Sequence, residues 1–171
     1  MPGVAACLFI AEGPFWHWIG ALLFVAACIT DFLDGYFARL WSQQSALGRM
    51  LDPIADKLLV GAVLLMLVFD QTISGWSIWA ALIILCREIV VSGLREFLAE
   101  LNVKLRVTWL AKWKTTIQML ALGTLLLAPA IGAQASWALP FGIFLLWIAA
   151  ILTIFTGVEY LRAAVTTAMR H

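Results

Sequence analysis

Residues 137–161 read WALPFGIFLLWIAAILTIFTGVEYL, and Glu159 is the one charged side chain in this stretch. A helix rises about 1.5 Å per residue, so the stretch is long enough to cross the roughly 30 Å hydrocarbon core of a bilayer. Backbone groups in lipid must hydrogen-bond within their own segment, which favours a helix. The stretch therefore predicts a transmembrane helix.

The composition of the whole chain points the same way. Of the 171 residues, 64% are hydrophobic and 12% are charged, and the mean hydropathy is +0.99. A soluble domain is about half apolar and about a quarter charged, whereas a disordered chain needs low hydrophobicity and high charge. Both classes are excluded. We predict an all-α polytopic membrane protein in which residues 1–171 form a single transmembrane domain.

Four further apolar segments are long enough to cross a bilayer. Including the stretch quoted first, the predicted spans are Phe15–Leu40, Gly48–Phe69, Trp76–Leu98, Trp109–Ala128 and Trp137–Leu161. Residues typical of turns and loops separate them, as in Asp70–Gly75 and Pro129–Ser136. The apolar piece Val4–Ala11 is too short to span, and we expect it to be the end of a further, truncated helix.

The basic residues indicate how the spans are oriented. Alternation of the five spans places all 11 Lys and Arg residues toward one side, and the loops of the opposite side carry only Glu12 and Asp70. By the positive-inside rule, the basic side faces the cytoplasm. Because the chain has no run rich in Lys and Arg, we expect no nucleic-acid partner.

Four aspartates lie toward this basic side. Asp31 and Asp34 are three residues apart near the end of the first span, and Asp52 and Asp56 are four apart near the start of the second. At about 100° per residue, each pair shares one helix face, and a short turn lets the two faces converge. Small residues lie on the same faces, namely Gly35, Ala38 and Gly48.

Four carboxylates at one level of a membrane require compensation, because an ionised group there costs several kcal/mol unless it is paired, hydrated or bound to metal. Hard oxygen ligands suit Mg²⁺ or Mn²⁺, and Mg²⁺ commonly bridges carboxylates and phosphates. The aspartates therefore predict a divalent-cation site that binds a phosphate ester. Solvated acids paired with Arg39, Arg49 and Lys57 are the alternative, but pairing does not explain the grouping with small residues.

The residues Asp31, Asp34, Gly35, Ala38, Arg39, Gly48, Asp52 and Asp56 form the pattern D-x2-D-G-x2-A-R-x8-G-x3-D-x3-D. This pattern resembles the signature of the CDP-alcohol phosphotransferase family without a departure. The resemblance implies a six-helix membrane bundle, here with the first helix truncated, and a site facing the cytoplasm. It also implies transfer of a phosphatidyl or similar group from a CDP-linked donor to an alcohol, with release of CMP.

Residues 87–96 (REIVVSGLRE), 99–101 (AEL) and 112–118 (KWKTTIQ) extend the resemblance. They are similar to bacterial members that use CDP-diacylglycerol and glycerol 3-phosphate in phospholipid biosynthesis, which implies the bacterial inner membrane as the location. Homodimers are common in the family, and the residues of this chain neither support nor oppose one.

The resemblance also implies roles for individual residues. Asp31, Asp34, Asp52 and Asp56 would bind Mg²⁺ or Mn²⁺, and Asp56 would be the general base. The CDP-linked donor would be bound by the residues of the pattern other than Asp56, with Arg39 on its phosphates. Because the acceptor carries a phosphate, a cationic pocket is required, and its candidates are Arg87, Arg95, Lys112 and Lys114.

Arg87 lies inside an apolar run, so it needs a partner, for which Glu88 and the acceptor phosphate are candidates.

Other interpretations of the function remain. The same family could use inositol phosphate, serine or phosphatidylglycerol as acceptor. A transporter would also carry intramembrane carboxylates, but deep in several spans. A prenyltransferase would normally carry two separated Asp-rich motifs.

Overall fold

The computed structural model describes residues 18–20, 22–26, 29–30, 46–100, 109–132 and 136–168. Its four long helices are α1 (Ala46–Phe69), α2 (Ser77–Glu100), α3 (Trp109–Ile131) and α4 (Ala138–Ala168). The described residues before Ala46 are helical as well, and no strand occurs in the described ranges. Helices thus form at all five predicted spans, although much of the first span and all of Val4–Ala11 lie outside the described residues.

Three of these helices contain a segment long and apolar enough to cross a membrane, namely Ser77–Ala99, Trp113–Ile131 and Ala138–Thr166. On α1 the apolar segment is shorter and runs from Lys57 to Phe69. Large apolar side chains such as Leu65, Phe144 and Phe155 are more than half exposed, as expected for helices surrounded by lipid. The predicted all-α membrane protein is confirmed, and the number of six helices stays a prediction.

The ends of two helices differ from their predicted positions. The fourth predicted span ends at Ala128, but α3 continues through Pro129 to Ile131. Proline is tolerated there because it removes only one hydrogen bond from the last turn, and Gly132 ends the helix with a left-handed φ of 61°. The fifth predicted span ends at Leu161, but α4 continues to Ala168.

The turn between α1 and α2 reverses the chain in seven residues. The amide of Asp70 donates to the carbonyl of Met66 at 2.8 Å, and that of Ile73 donates to Leu67 at 2.9 Å. Gln71 and Gly75 have positive φ angles of 61° and 55°, a region that glycine adopts readily and that is uncommon for glutamine. Because the connection is so short, α1 and α2 run antiparallel.

The apolar core occupies the half of the bundle nearest this turn. Its side chains lie near the C-terminal end of α1, near the start of α2, and in the middle of α3 and α4, and Ile73 of the turn and Phe24 also belong to it. The buried members include Leu64, Ile84, Leu122, Leu125 and Leu146. The other half of the bundle contains the polar side chains described below.

Helices α3 and α4 approach closely at Gly142. A Cβ atom added to this glycine would lie 2.8 Å from Cγ and Cδ2 of Leu125 and 3.4 Å from its backbone nitrogen. Side chains in protein interiors are close-packed, so this contact leaves no room for a methyl group. Gly142 therefore sets the distance at which α4 packs against α3.

Candidate active site

Only part of the predicted aspartate site falls within the described residues. Asp31, Asp34, Gly35, Ala38 and Arg39 lie outside them. Gly48, Asp52 and Asp56 lie on α1, where the backbone is described and the side chains are not. Because Asp52 and Asp56 are four residues apart, they occupy positions one turn apart on the same face of α1.

Lys57 fixes how this part of α1 lies against α2. Its ammonium group donates a hydrogen bond to the hydroxyl of Ser92. In antiparallel helices, moving back along α1 from Lys57 corresponds to moving forward along α2 from Ser92. Asp52 and Asp56 are therefore at about the same level of the bundle as Arg95, which is three residues beyond Ser92.

Arg87 lies near the middle of α2, about 15 Å along the helix from Ser77. Its Nε donates to the carbonyl of Thr153 at 3.1 Å, and its Nη2 donates to the hydroxyl of Thr156 at 2.7 Å. Its Nη1 lies 3.3 Å from Oε1 of Glu88. The predicted need for a partner is thus confirmed, with Glu88 as the charged partner and α4 as the source of two more acceptors.

Lys114 completes an ion-pair network across α2 and α3. Its ammonium group donates to the same Oε1 of Glu88 that pairs with Arg87. The side chains of Lys114, Arg87 and Glu88 are 5%, 12% and 17% exposed. A charge buried in this way needs both a counter-charge and hydrogen bonds, which the network supplies.

Arg95 lies two turns beyond Arg87 on α2, about 12 Å along the helix axis. Its Nη2 donates to the hydroxyl of Tyr160 at 2.6 Å, and its guanidinium carbon lies 4.8 Å from the centre of the Tyr160 ring. Tyr160 is buried, whereas Arg95 is exposed. Arg95 is therefore held at one side while remaining accessible to a ligand.

We call Arg87, Glu88, Arg95 and Lys114 the cationic cluster. Glu88 pairs with Arg87 and Lys114, whereas Arg95 is held by Tyr160, so the three cations and one carboxylate of this cluster carry two excess positive charges. Three of the four basic residues predicted from the sequence are thus brought together. For the fourth, Lys112, the structure describes only the backbone, on the first turn of α3.

The contribution of α4 was not predicted. Thr153, Thr156, Gly157 and Tyr160 follow the spacing i, i+3, i+4 and i+7, so they form one stripe along the helix. The signal in the sequence was a set of polar side chains on one face of an apolar run. Gln118 of α3 is also buried, and its Oε1 has no hydrogen-bond partner among the described residues.

A divalent cation fits the chemistry of the predicted donor set. The side chains that the signature places there are carboxylates, which are the hard oxygen ligands that Mg²⁺ and Mn²⁺ prefer. Among the described residues alone, no group of three His, Cys, Asp or Glu side chains could hold a metal ion.

The sequence matches the family described as CDP-alcohol phosphatidyltransferase over residues 1–156. The chain belongs to this family of membrane-bound transferases. Among curated relatives, proteins named CDP-diacylglycerol–glycerol-3-phosphate 3-phosphatidyltransferase are similar over most of their length. The protein from Rickettsia bellii is 48% identical over 155 residues, covering 91% of this chain and 83% of the relative.

Two relatives from other bacteria carry the same name. The protein from Haemophilus influenzae is 45% identical over 163 residues, covering 94% of this chain and 83% of the relative. The protein from Cereibacter sphaeroides is 40% identical over 196 aligned positions, covering 95% of this chain and 89% of the relative. The family resemblance found in the sequence is thereby confirmed.

Proposed function

We propose that this chain transfers the phosphatidyl group of CDP-diacylglycerol to glycerol 3-phosphate, giving phosphatidylglycerophosphate and CMP. The names of the relatives support this reaction. The structural observation that carries the proposal is the cationic cluster, in which Glu88 pairs with Arg87 and Lys114 while Arg95 is held by Tyr160. Its two excess positive charges match a phosphate monoester, which carries close to two negative charges at neutral pH.

The cluster also bears on the choice of acceptor. Serine and unphosphorylated glycerol carry no phosphate and would leave the excess positive charge uncompensated in a partly buried site, which is costly. A phosphorylated acceptor supplies the missing charge. Inositol phosphate has the same property, so it is the acceptor that the experiment must distinguish from glycerol 3-phosphate.

Asp56 is the proposed general base. It takes the proton from the attacking hydroxyl of glycerol 3-phosphate as that oxygen forms a bond to the phosphorus that bears diacylglycerol. The bond from this phosphorus to the oxygen of CMP breaks, and CMP leaves with the electron pair. General-base catalysis requires Asp56 to approach the hydroxyl within about 3 Å. The level of Asp56 beside Arg95 supports this role.

The donor site is proposed from the signature residues. Asp31, Asp34, Asp52 and Asp56 would hold Mg²⁺ or Mn²⁺, which would neutralise negative charge on the pyrophosphate. Arg39 would pair with the donor phosphates, and Gly35, Ala38 and Gly48 would leave room for the nucleotide. The acceptor phosphate would enter beside the exposed Arg95 and bind next to the Glu88 network, and Lys112 is proposed as a further ligand.

The proposed location is the bacterial inner membrane, with the site at the cytoplasmic face. Supporting this, Lys57, Arg95 and Lys114 lie toward one end of the bundle, while the turn at the other end carries Asp70 and no Lys or Arg. Such an asymmetry follows the positive-inside rule. A homodimer, which is common in the family, stays a prediction.

The experiment is a transfer assay with the purified protein, CDP-diacylglycerol and either Mg²⁺ or Mn²⁺. Glycerol 3-phosphate, inositol phosphate, serine and phosphatidylglycerol are offered separately, and CMP release is measured. We expect metal-dependent CMP release with glycerol 3-phosphate as acceptor and none with the other three alcohols. Release with another alcohol would keep the family reaction and change the acceptor, whereas no release with any of them would contradict the proposal.

A further inference from the structure

The stripe formed by Thr153, Thr156, Gly157 and Tyr160 on α4 contacts both arginines of the cationic cluster. These contacts are polar, they lie within a span that is otherwise apolar, and neither the signature nor the relatives' names assign them a role. The stripe carries no charge of its own, so it does not change the net charge of the cationic cluster. What it can change is where the two guanidinium groups lie.

Thr156 has a hydroxyl with a fixed direction. The hydroxyl donates back to its own helix, where the carbonyl oxygens of Leu152 and Thr153 lie at 3.0 and 3.2 Å. Because its proton is used in this way, its lone pairs are left for the Nη2 of Arg87 at 2.7 Å. Thr156 is fully buried, so water is not available to replace it. One rotamer of Arg87 is thereby favoured.

Gly157 leaves the carbonyl of Thr153 open to Arg87. A helical side chain covers the turn that precedes it, so a larger residue at this position would cover the carbonyl of Thr153. Here that carbonyl accepts a hydrogen bond from Nε of Arg87 at 3.1 Å. A Cβ atom on Gly157 would lie 3.3 Å from Cγ of Arg87. The missing side chain therefore lets Arg87 lie directly against the backbone of α4.

Tyr160 restrains the guanidinium group of Arg95, as Thr156 restrains that of Arg87. Its hydroxyl accepts from Nη2 at 2.6 Å, and its ring faces the guanidinium carbon at 4.8 Å. Both contacts restrain a side chain that is otherwise exposed. A positioned arginine loses less conformational freedom when it binds a phosphate, and this raises the affinity for the phosphate.

We infer that Thr156, Gly157 and Tyr160 are positioning residues, which hold Arg87 and Arg95 in the geometry that binds the acceptor phosphate without contacting the acceptor themselves. This inference rests on the proposed function, because that function supplies the acceptor. It predicts that changes in the stripe act on the affinity for glycerol 3-phosphate and leave the affinity for CDP-diacylglycerol unaffected.

The test compares Thr156→Val, Thr156→Ser and Thr166→Val. Valine keeps the shape of threonine and removes the hydroxyl, whereas serine keeps the hydroxyl. Thr166 is the matched control, because its hydroxyl also donates to a carbonyl four residues earlier on α4 and it lies on an exposed part of the helix. KM is measured for each substrate with the other at saturation.

We expect Thr156→Val to raise the KM for glycerol 3-phosphate about tenfold, the typical effect of losing one hydrogen bond to a charged group. The KM for CDP-diacylglycerol should stay within about twofold, and Thr156→Ser and Thr166→Val should resemble the wild type. Tyr160→Phe, which keeps the ring, should give a smaller rise for the same substrate. An unchanged acceptor KM in Thr156→Val, or an equal rise for both substrates, would overturn the inference.

A second readout does not depend on turnover. Inorganic phosphate at increasing concentration should raise the melting temperature of the wild type in detergent, since a ligand that binds only the folded state stabilises it. The rise should be smaller in Thr156→Val and unchanged in Thr166→Val. A wild type that phosphate stabilises but that shows no transfer would contradict the proposed function alone, whereas equal stabilisation of all variants would contradict the positioning role.

Discussion

Lys114 of α3 and Glu88 of α2 form a buried ion pair, and the carboxylate oxygen that accepts from Lys114 also accepts from Arg87. One carboxylate thus joins two helices and compensates two cations within the bilayer. The pair has two consequences. It links α2 to α3, which otherwise pack mainly against α4, and it leaves the cluster short of negative charge until a ligand binds.

Replacing Glu88 by glutamine should separate these two consequences. Glutamine keeps the shape and one acceptor oxygen but removes the counter-charge of Arg87 and Lys114. We expect the free energy of unfolding to fall by about 1–3 kcal/mol, as measured by denaturation in detergent. Added phosphate should stabilise this variant more than the wild type, because the anion replaces the lost charge.

The matched control is Glu159→Gln on α4, whose side chain is exposed. Its stability should stay within about 0.5 kcal/mol of the wild type. If Glu88→Gln were as stable as this control, the ion pair between α2 and α3 would contribute nothing to the stability of the bundle.

Asp56→Asn should abolish transfer while the protein remains folded, because the amide cannot accept the proton of the attacking hydroxyl. A positioned general base contributes about 10²–10⁴-fold to the rate, so a loss in this range is expected. CMP release and melting temperature are measured on the same preparation. Asp70→Asn, in the turn that follows α1, serves as control and should retain the wild-type rate. Near-normal transfer by Asp56→Asn would exclude this residue as the base.

Arg87→Ala should weaken the use of glycerol 3-phosphate more than that of CDP-diacylglycerol. The substitution removes a guanidinium that makes three polar contacts, and a rise of at least about tenfold in the acceptor KM is expected. Arg87→Lys keeps the charge but loses the planar fork, so it should lie between alanine and the wild type. Arg162→Ala, at an exposed position of α4, is the control. A donor KM that rose as much as the acceptor KM would remove Arg87 from the acceptor site.

Gly142→Ala should destabilise the bundle, since the new methyl group would overlap the side chain of Leu125. Overpacking of this kind costs about 1–3 kcal/mol. Gly123→Ala is the matched control, because a Cβ atom there meets nothing within 4 Å. This variant should be more stable than the wild type by about 0.5–1 kcal/mol, since alanine is favoured over glycine inside a helix. Thermal denaturation in detergent measures both. Equal effects would show that the two helices can separate slightly at Gly142 without cost.

Much of the fold could be predicted because apolar length alone determines which segments cross a bilayer. Helices α1 to α4 begin within two residues of the predicted starts of the last four spans. The local chemistry of Pro129 predicts the end of the helix there, and this prediction is wrong because a proline in the last turn removes only one hydrogen bond. The far end of α4 was missed because hydropathy marks the membrane boundary and not the end of the helix.

Less of the site could be predicted, for a physical reason. The four aspartates and the cations of α2 and α3 could be picked out from the sequence because charges in apolar runs stand out. The partners of Arg87 on α4 are 66 and 69 residues away in the chain. They depend on how α4 is rotated against α2, which no local pattern encodes. Glu88 is predicted beside Arg87, but its pairing with Lys114 depends on where α4 holds α3 relative to α2, which the sequence does not reveal.

The most direct test of the proposed reaction is to follow both products from the purified protein, supplied with CDP-diacylglycerol, Mg²⁺ and either glycerol 3-phosphate or glycerol. The cationic cluster predicts CMP and phosphatidylglycerophosphate in equal amounts with glycerol 3-phosphate, and no product with glycerol. Equal turnover of glycerol would contradict the role of the cluster, and CMP release without phosphatidylglycerophosphate would contradict the transfer itself.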